Sequence, residues 1–400
     1  MITTGITGSA WRASISPWGR IEPWDDDRPL DWFVAADDRW HVPADEPTVR
    51  QQRIDGTPVT ETRVRVPNGD VVQRVYSVPD AGGFTIVEVE NESTLPVAVA
   101  FDRSDVVTER PVADIPIEGI ELPAGSFVLP LGHKATVRVG IPHGTAPERL
   151  PDVPAARQVA NGWLTTTERA SRFVLPDGER GASLAATVTA LRCELALGAI
   201  PDADDEPEAF ALALGELVRM GEQPGPWLEE LVRAVEQFAD RTTWTTDAAL
   251  VATDRVLAAA GEDRARRDLA KSVASRVASE RPTTPPDGIA AVAWLESSFA
   301  VGGALLPFGL PDAWLGQSVE VYGVPTAAGS TVSFALRWHG ERPAVLWEQT
   351  GEPVRLTAPV MDPDWATAEP SGEGLWAAPP NGSGHTSTSV QPDDQGGSFS

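Results

Sequence analysis

Tryptophan beside carboxylate is the pairing that recurs in this chain. The N-terminal stretch holds Trp11, Trp18, Trp24, Trp32 and Trp40, interleaved with Asp25, Asp26, Asp27, Asp31, Asp37 and Asp38. A flat indole stacks on the C–H face of a pyranose, and a carboxylate accepts hydrogen bonds from its hydroxyls. On that ground Trp32, Asp38 and Trp40 are candidate ligand-binding residues. The competing expectation is that the indoles pin an irregular strand onto a sheet, each burying area worth roughly 2–3 kcal/mol. A second concentration is LRWHGERPAVLWEQTGEP, from Leu336 to Pro353. Its Trp338, His339, Glu341 and Trp347 are candidates for the same sugar-stacking chemistry. The alternative there is a hairpin with a five-residue turn, His339 to Pro343, whose two tryptophans are cross-strand neighbours that seal a sheet onto helices.

Glu296, in AVAWLESSFAVGG, stands out among the acids because it sits in an apolar setting. An apolar setting favours the protonated carboxyl, the form a glycosidase general acid needs. Such chemistry requires a second carboxyl roughly 5–9.5 Å away, and 58 acidic residues supply pairs by chance. The structural alternative puts Glu296 on the polar face of a short helix or at its cap. His41, His133, His143, His339 and His385 are scattered without H-x₃-H or HExxH spacing, so no metal site is expected. Walker and GxGxxG patterns are missing, so no nucleotide cofactor is expected. The single basic run, RARRDLAK from Arg264 to Lys271, carries apolar positions at helical spacing and reads as a solvated helix face. Cys193, the lone cysteine, reads as a small core residue.

The elements that must position these residues fall into three stretches. Residues 1–153 read as β. In VTETRVRVPNGDVVQRVYSV, Thr62, Val64 and Val66 alternate with Glu61, Arg63 and Arg65. That is period two, followed by an Asn68-Gly69 type I′ turn and a return strand buried on both sides. GGFTIVEVE with VAVAFD, joined by NESTLP, reads as a second hairpin. IEGIELPAGSFVLPLGHKATVRVG reads as a third. Short strands at this spacing indicate an antiparallel sandwich.

Residues 154–281 are rich in Ala, Leu and Glu at helical periodicity, giving about five antiparallel helices. Residues 288–366 hold TVSFALRW, AVLWEQ and PVRLTAP, three antiparallel strands. Residues 370–400 are polar, low in complexity and expected to be disordered. The fold class expected is therefore α+β and multidomain: a β-sandwich, a helical array, a C-terminal β segment and a tail.

Composition bounds the partners. A chain of 400 residues with 42% hydrophobic and 22% charged residues is an ordinary globular one, and its length calls for two or three domains. A net charge of -26 argues against binding nucleic acid or anionic membrane through general electrostatics. MITTGITGSAWRASISPWGR lacks an apolar h-region, and IAAVAWLESSFAVGGALLPFGL is broken by Glu296, Gly302, Gly303 and Pro307. A cytoplasmic location is expected.

RVRVPNGDVVQRVYSVPDAGGFTIVEVENESTLPVAVAF resembles the N-terminal sandwich of the bacterial six-hairpin (α/α) glycosidases, of the glucoamylase and glycogen-debranching kind. WLTTTERASRFVLPDGERGASLAATVTALRCELAL resembles their linker into the first helix. The resemblance covers about residues 30–200. Those enzymes carry about twelve helices, against about five here, so no catalytic residue is carried over. The resemblance implies a carbohydrate-related protein that has lost catalysis, and the leading expectation is that it binds a carbohydrate or assists a carbohydrate-active partner protein. A scaffold with purely structural tryptophans is the alternative. A hydrolase using an unrecognised carboxylate pair that includes Glu296 is the third reading.

Overall fold

The computed structural model describes residues 1–112, 117–176, 181–274, 276–327 and 329–378. The fold is mixed, with seven α-helices among the described residues and several antiparallel sheets, most of the N-terminal part being strands.

The hairpin around Asn68 forms, Thr60–Val66 pairing with Gly69–Val78. Its turn differs from expectation. Val66 pairs with Gly69, so the loop is Pro67 and Asn68, and only Asn68 has positive φ, 63°. Proline holds the first loop position at negative φ, which excludes type I′ and leaves the left-handed position to asparagine.

The next two expected hairpins do not form. Phe84–Asn91 pairs with Gly69–Val78 and Thr136–Pro142 inside a six-stranded sheet, edged by Val107–Thr108 and Arg50–Arg53. Val97–Phe101 instead pairs with Phe127–Leu131 and Trp32–Ala35 in a four-stranded sheet that ends at Trp40–His41. The turn-like segments are corners that carry the chain from one sheet to the other. Asn91 closes both corners: its Nδ2 donates to the carbonyls of Leu95 (2.8 Å), Leu131 (3.2 Å) and Gly132 (3.2 Å). Its Oδ1 accepts from the Ser93 N–H at 2.9 Å. Val34, Val99 and Leu129 from one sheet share a core with Val64, Val75, Val87 and Val139 from the other. A third small sheet, Ile2–Gly5, Arg12–Ile15 and Ile21–Pro23, begins the chain.

One face of the six-stranded sheet carries a row of alternating charge. Glu61 is opposite Arg74, Arg74 opposite Glu88, and Glu88 opposite Arg138. Arg74 Nε reaches Glu61 at 3.0 Å, and Arg138 Nε reaches Glu88 at 2.8 Å. Opposite charges directly across strands support this register.

The helices are α1 Ala156–Thr167, α2 Gly181–Ala196, α3 Pro207–Met220, α4 Leu228–Phe238, α5 Trp244–Ala259, α6 Asp263–Ala274 and α7 Ala290–Phe299. Six of them fall where about five were expected. The extra one, α1, buries Ala156, Ala160, Trp163 and Thr167, a stripe in which Trp163 is the one large apolar residue. For α3 the sequence signals hold: Pro207 lies in its first turn, and Gly221, at φ 110°, ends it left-handed. Thr243 caps α5 by accepting the Thr246 N–H on its hydroxyl at 3.1 Å.

The three expected C-terminal strands divide between two sheets. Ser330–His339 and Arg342–Thr350 lie in a five-stranded sheet, ordered Arg172–Val174, Val319–Ala327, Ser330–His339, Arg342–Thr350, Ser371–Leu375. Leu356–Ala358 belongs to a smaller sheet with Ala300–Val301, Ala304–Leu305 and Asp362–Thr367. Gly351 and Pro353 separate the two. The tail expected to be disordered from 370 begins instead with the edge strand Ser371–Leu375 and the wholly buried Trp376. Residues 379–400, including His385, lie outside the described residues. Phe210 and Leu214 of α3, Val256 of α5, and Leu295 and Phe299 of α7 share one core with Val321, Phe334, Leu336 and Val345 of the five-stranded sheet.

Candidate functional site

Glu296 turns inward on α7 together with Val292, Leu295 and Phe299 and is buried. What meets it is ionic rather than apolar. Its Oε1 accepts from Ser171 Oγ at 2.7 Å, Arg219 Nη1 at 2.7 Å and Arg192 Nη2 at 3.2 Å. Glu216 of α3 takes Arg192 Nε at 2.8 Å and Arg219 Nη1 at 2.7 Å. Burial alone would raise the Glu216 carboxyl, but Arg219, Arg192 and Arg255 outweigh it and hold the group at about 2. Burial works against the Arg219 charge, yet Glu216 and Glu296 raise it above its ordinary value. The cluster ties α2, α3 and α7 together. An oxygen that already holds three donors is placed to brace helices, not to hand a proton to a leaving group.

The ligand-binding candidates separate into two groups on different sheets. Trp32 is buried and donates Nε1–H to the Trp18 carbonyl at 3.0 Å. Trp40 donates to the Glu118 carbonyl at 2.8 Å. Asp38 bonds His41 Nε2 at 3.1 Å, and Glu46 takes the other ring nitrogen at 3.0 Å. Asp38, His41 and Glu46, with Arg39, Thr48 and Arg65, line a cavity of about 370 Å³ that neither Trp32 nor Trp40 lines. In the C-terminal hairpin, His339 pairs directly with Arg342, so the loop is Gly340–Glu341, two residues rather than five. Trp338 stands opposite Pro343 and Trp347 opposite Phe334, so the two tryptophans are not cross-strand partners. Trp338 donates to the Gln317 carbonyl at 2.8 Å, while buried Trp347 meets Trp365 edge-on at 5.3 Å. His339 and Glu341 are exposed at the tip.

Trp24 behaves differently. It follows the short strand Ile21–Pro23, and its N–H donates to the Arg12 carbonyl at 2.9 Å. Its indole N–H is fixed on Ser14 Oγ at 2.8 Å, yet the residue is 61% exposed. The adjacent Asp25 accepts from His143 Nδ1 at 2.9 Å. His143 stacks on Trp11, ring centroids 3.9 Å apart and planes within 7°, and its Nε2 meets Thr85 Oγ1 at 2.8 Å. Gly83 makes room for Trp11: a Cβ there would lie 2.6 Å from the indole. The neighbouring Asp26 is held at about 2, chiefly by its hydrogen bond from Arg28 and also by Arg103.

Asp25, His143 and Thr85 form a hydrogen-bonded relay, but Thr85 is wholly buried, so it offers no nucleophile. The relay anchors Asp25, the residue that follows Trp24. Trp24 thus offers an exposed indole whose N–H is already held, next in sequence to an anchored carboxylate. Trp24 stood among the N-terminal tryptophans in the sequence without being singled out. The Trp-Asp-Asp-Asp run after a three-residue strand was the available signal, because such a polar run ends burial.

A larger cavity of about 500 Å³ lies over the charged row of the six-stranded sheet, lined by Gln52, Arg53, Asp55, Glu61, Arg74, Glu88 and Arg157. Its carboxylates are largely committed: burial opposes ionisation of Glu61, but Arg63 and Arg74 keep it below its ordinary value. Glu296 lines neither cavity. Among the described residues no group of three or more His, Cys, Asp or Glu is arranged to hold a metal ion. No described helix is long and apolar enough to cross a membrane. The chain matches no protein-family model and no curated protein.

Proposed function

We propose that this is a non-catalytic carbohydrate-binding protein, similar in layout to the six-hairpin glycosidases, which takes a saccharide on the Trp24 platform. The single observation that carries this reading is an indole held by Ser14 and left 61% exposed, next in sequence to the anchored Asp25. An exposed, immobilised aromatic face offers stacking without an ordering cost on binding. The two N-terminal sheets that share a core are, in this reading, the glycosidase-like sandwich, and α2 to α5 a shortened set of helical hairpins. Binding rather than hydrolysis is supported by Glu296, whose Oε1 is engaged by Arg192, Arg219 and Ser171.

The test is calorimetric titration of a glycan panel into the full chain and into Trp24→Ala. At least one saccharide should bind, and the substitution should weaken it about tenfold, the equivalent of roughly 1.4 kcal/mol of stacking. Equal binding by Trp24→Ala sinks the platform. A scaffold is the second reading. It is favoured by the indoles of Trp32, Trp40, Trp338 and Trp347, each of which donates to a backbone carbonyl elsewhere in the chain. Silence across the whole panel would favour that reading.

A further inference from the structure

Arg281 is a half-buried cation whose charge no acid balances among the described residues. The chain carries 58 acidic residues, yet burial alone shifts this guanidinium, lowering it to about 10, with no carboxylate opposing the shift. Its Nε donates to Ser297 Oγ at 2.8 Å, and Nη2 donates to the Trp294 carbonyl at 2.9 Å and to Ser298 Oγ. Its Cζ lies 3.9 Å from the centroid of the Trp294 ring and 4.6 Å from that of Phe308. Among the described residues Nη1 has no hydrogen-bond partner.

The neighbouring surface is apolar and stiff. Phe308 is 57% exposed, and Val360 is exposed as well. A Cβ on Gly309 would lie 3.2 Å from Val360 Cγ1, so this valine sits against the Phe308 turn. That turn is held by Leu306, buried and left-handed at φ 45°, whose N–H bonds the Phe299 carbonyl at 2.9 Å. A bulky residue seldom adopts that conformation, and such strain collects where a side chain must be presented in a set direction.

We propose that this corner binds a small organic monocarboxylate, its anionic end on Arg281 Nη1 and its apolar body on Phe308 and Val360. The aromatic rings and serines fix the plane of the guanidinium, so little freedom is lost when it receives a ligand. One cation, with no second one acting on it among the described residues, matches one negative charge. A doubly charged phosphate would meet the same single cation against a chain of net charge -26.

Ligand-observed NMR on the full chain tests this with phenylacetate, its neutral counterpart phenylacetamide, and inorganic phosphate. Phenylacetate should saturate with a Kd of about 1 mM or tighter. The amide should bind at least about tenfold more weakly, since it cannot form the charge-assisted bond. Arg281→Lys, which keeps the charge but loses the planar fork, should weaken phenylacetate about tenfold. Phe308→Ser, at a position 57% exposed, should weaken it about fivefold and decides the matter if the lysine variant does not fold. Trp24→Ala should leave the titration unchanged, which separates this site from the saccharide platform. The proposal is overturned if phenylacetate does not saturate, if the amide or phosphate binds as well, or if folded Phe308→Ser binds undiminished.

Discussion

A buried carboxylate is a reagent or a strut according to what its oxygens already hold. Glu216 and Glu296 hold Arg192 and Arg219 between them, in a cluster closed by Ser171. Removing either acid strands guanidinium charge inside the protein. Glu216→Gln and Glu296→Gln should each cost about 3–5 kcal/mol, read from urea denaturation midpoints. If Glu296 were instead a general acid, its glutamine variant would keep its stability and lose a rate. The pH dependence follows from Glu216. Its folded value, about 2, lies below the ordinary carboxylate range of about 4.3. A depressed carboxyl contributes stability above the unfolded value and loses it as pH falls toward the folded one. Melting temperature should therefore fall between about pH 4.3 and pH 2 by more than in Glu216→Gln, and parallel curves would contradict the assignment. At this scale the sequence was legible in kind but not in role. An acid in an apolar stretch stands out, whereas the arginines that claim it come from two other helices and leave no local trace.

At the scale of elements, local pattern and long-range pairing part company. Period two through Val64 and Val66, and the Pro207 and Gly221 signals around α3, are local physics and could be read directly. The segment NESTLP carries turn chemistry too, but turn chemistry does not say which sheet the next strand enters. Asn91 decides that by capping backbone groups of both corners, including Leu131 and Gly132, far along the chain. Asn91→Ala should leave those carbonyls short of a donor and cost about 3 kcal/mol, whereas an ordinary hairpin turn would lose only a few tenths. Gly56 makes a similar point for the joint between sheet and helix. At φ 76°, a Cβ there would lie 2.2 Å from the Ala186 carbonyl oxygen of α2. Gly56→Ala cannot relieve that contact by a rotamer change, so α2 must shift. The expected loss is about 2–3 kcal/mol, checked by guanidinium denaturation against Gly162→Ala, which meets open space and should stabilise α1 slightly.

Across the whole molecule, the part of the chain that reads as tail is the part that closes a core. Ser371–Leu375 pairs with Ala344 to Glu348 along the edge of the five-stranded sheet. Trp376 then enters the interior, edge-on to Trp365 at 5.3 Å, and Trp365 stands edge-on to Trp347. Arg342 donates to the Trp376 carbonyl at 2.9 Å, and the Trp376 N–H donates to the Pro343 carbonyl at 2.9 Å. The surrounding Gly, Ser and Pro content hid this, because composition averages over a window while one buried indole outweighs its neighbours. Burying a tryptophan contributes on the scale at which Trp→Ala costs about 3–5 kcal/mol, a large share of the margin of a typical domain. The loss would fall on the core that joins α3, α5 and α7 to this sheet, which is distinct from the cluster between the two N-terminal sheets. Ending the chain at Pro370 should therefore abolish or sharply lower the unfolding transition that reports on the helices, and Trp376→Ala should lower it by about 3 kcal/mol or more. Far-ultraviolet circular dichroism at 222 nm during denaturation follows the helices directly. An unchanged midpoint in both variants would mean that the strand and its tryptophan contribute nothing to that core.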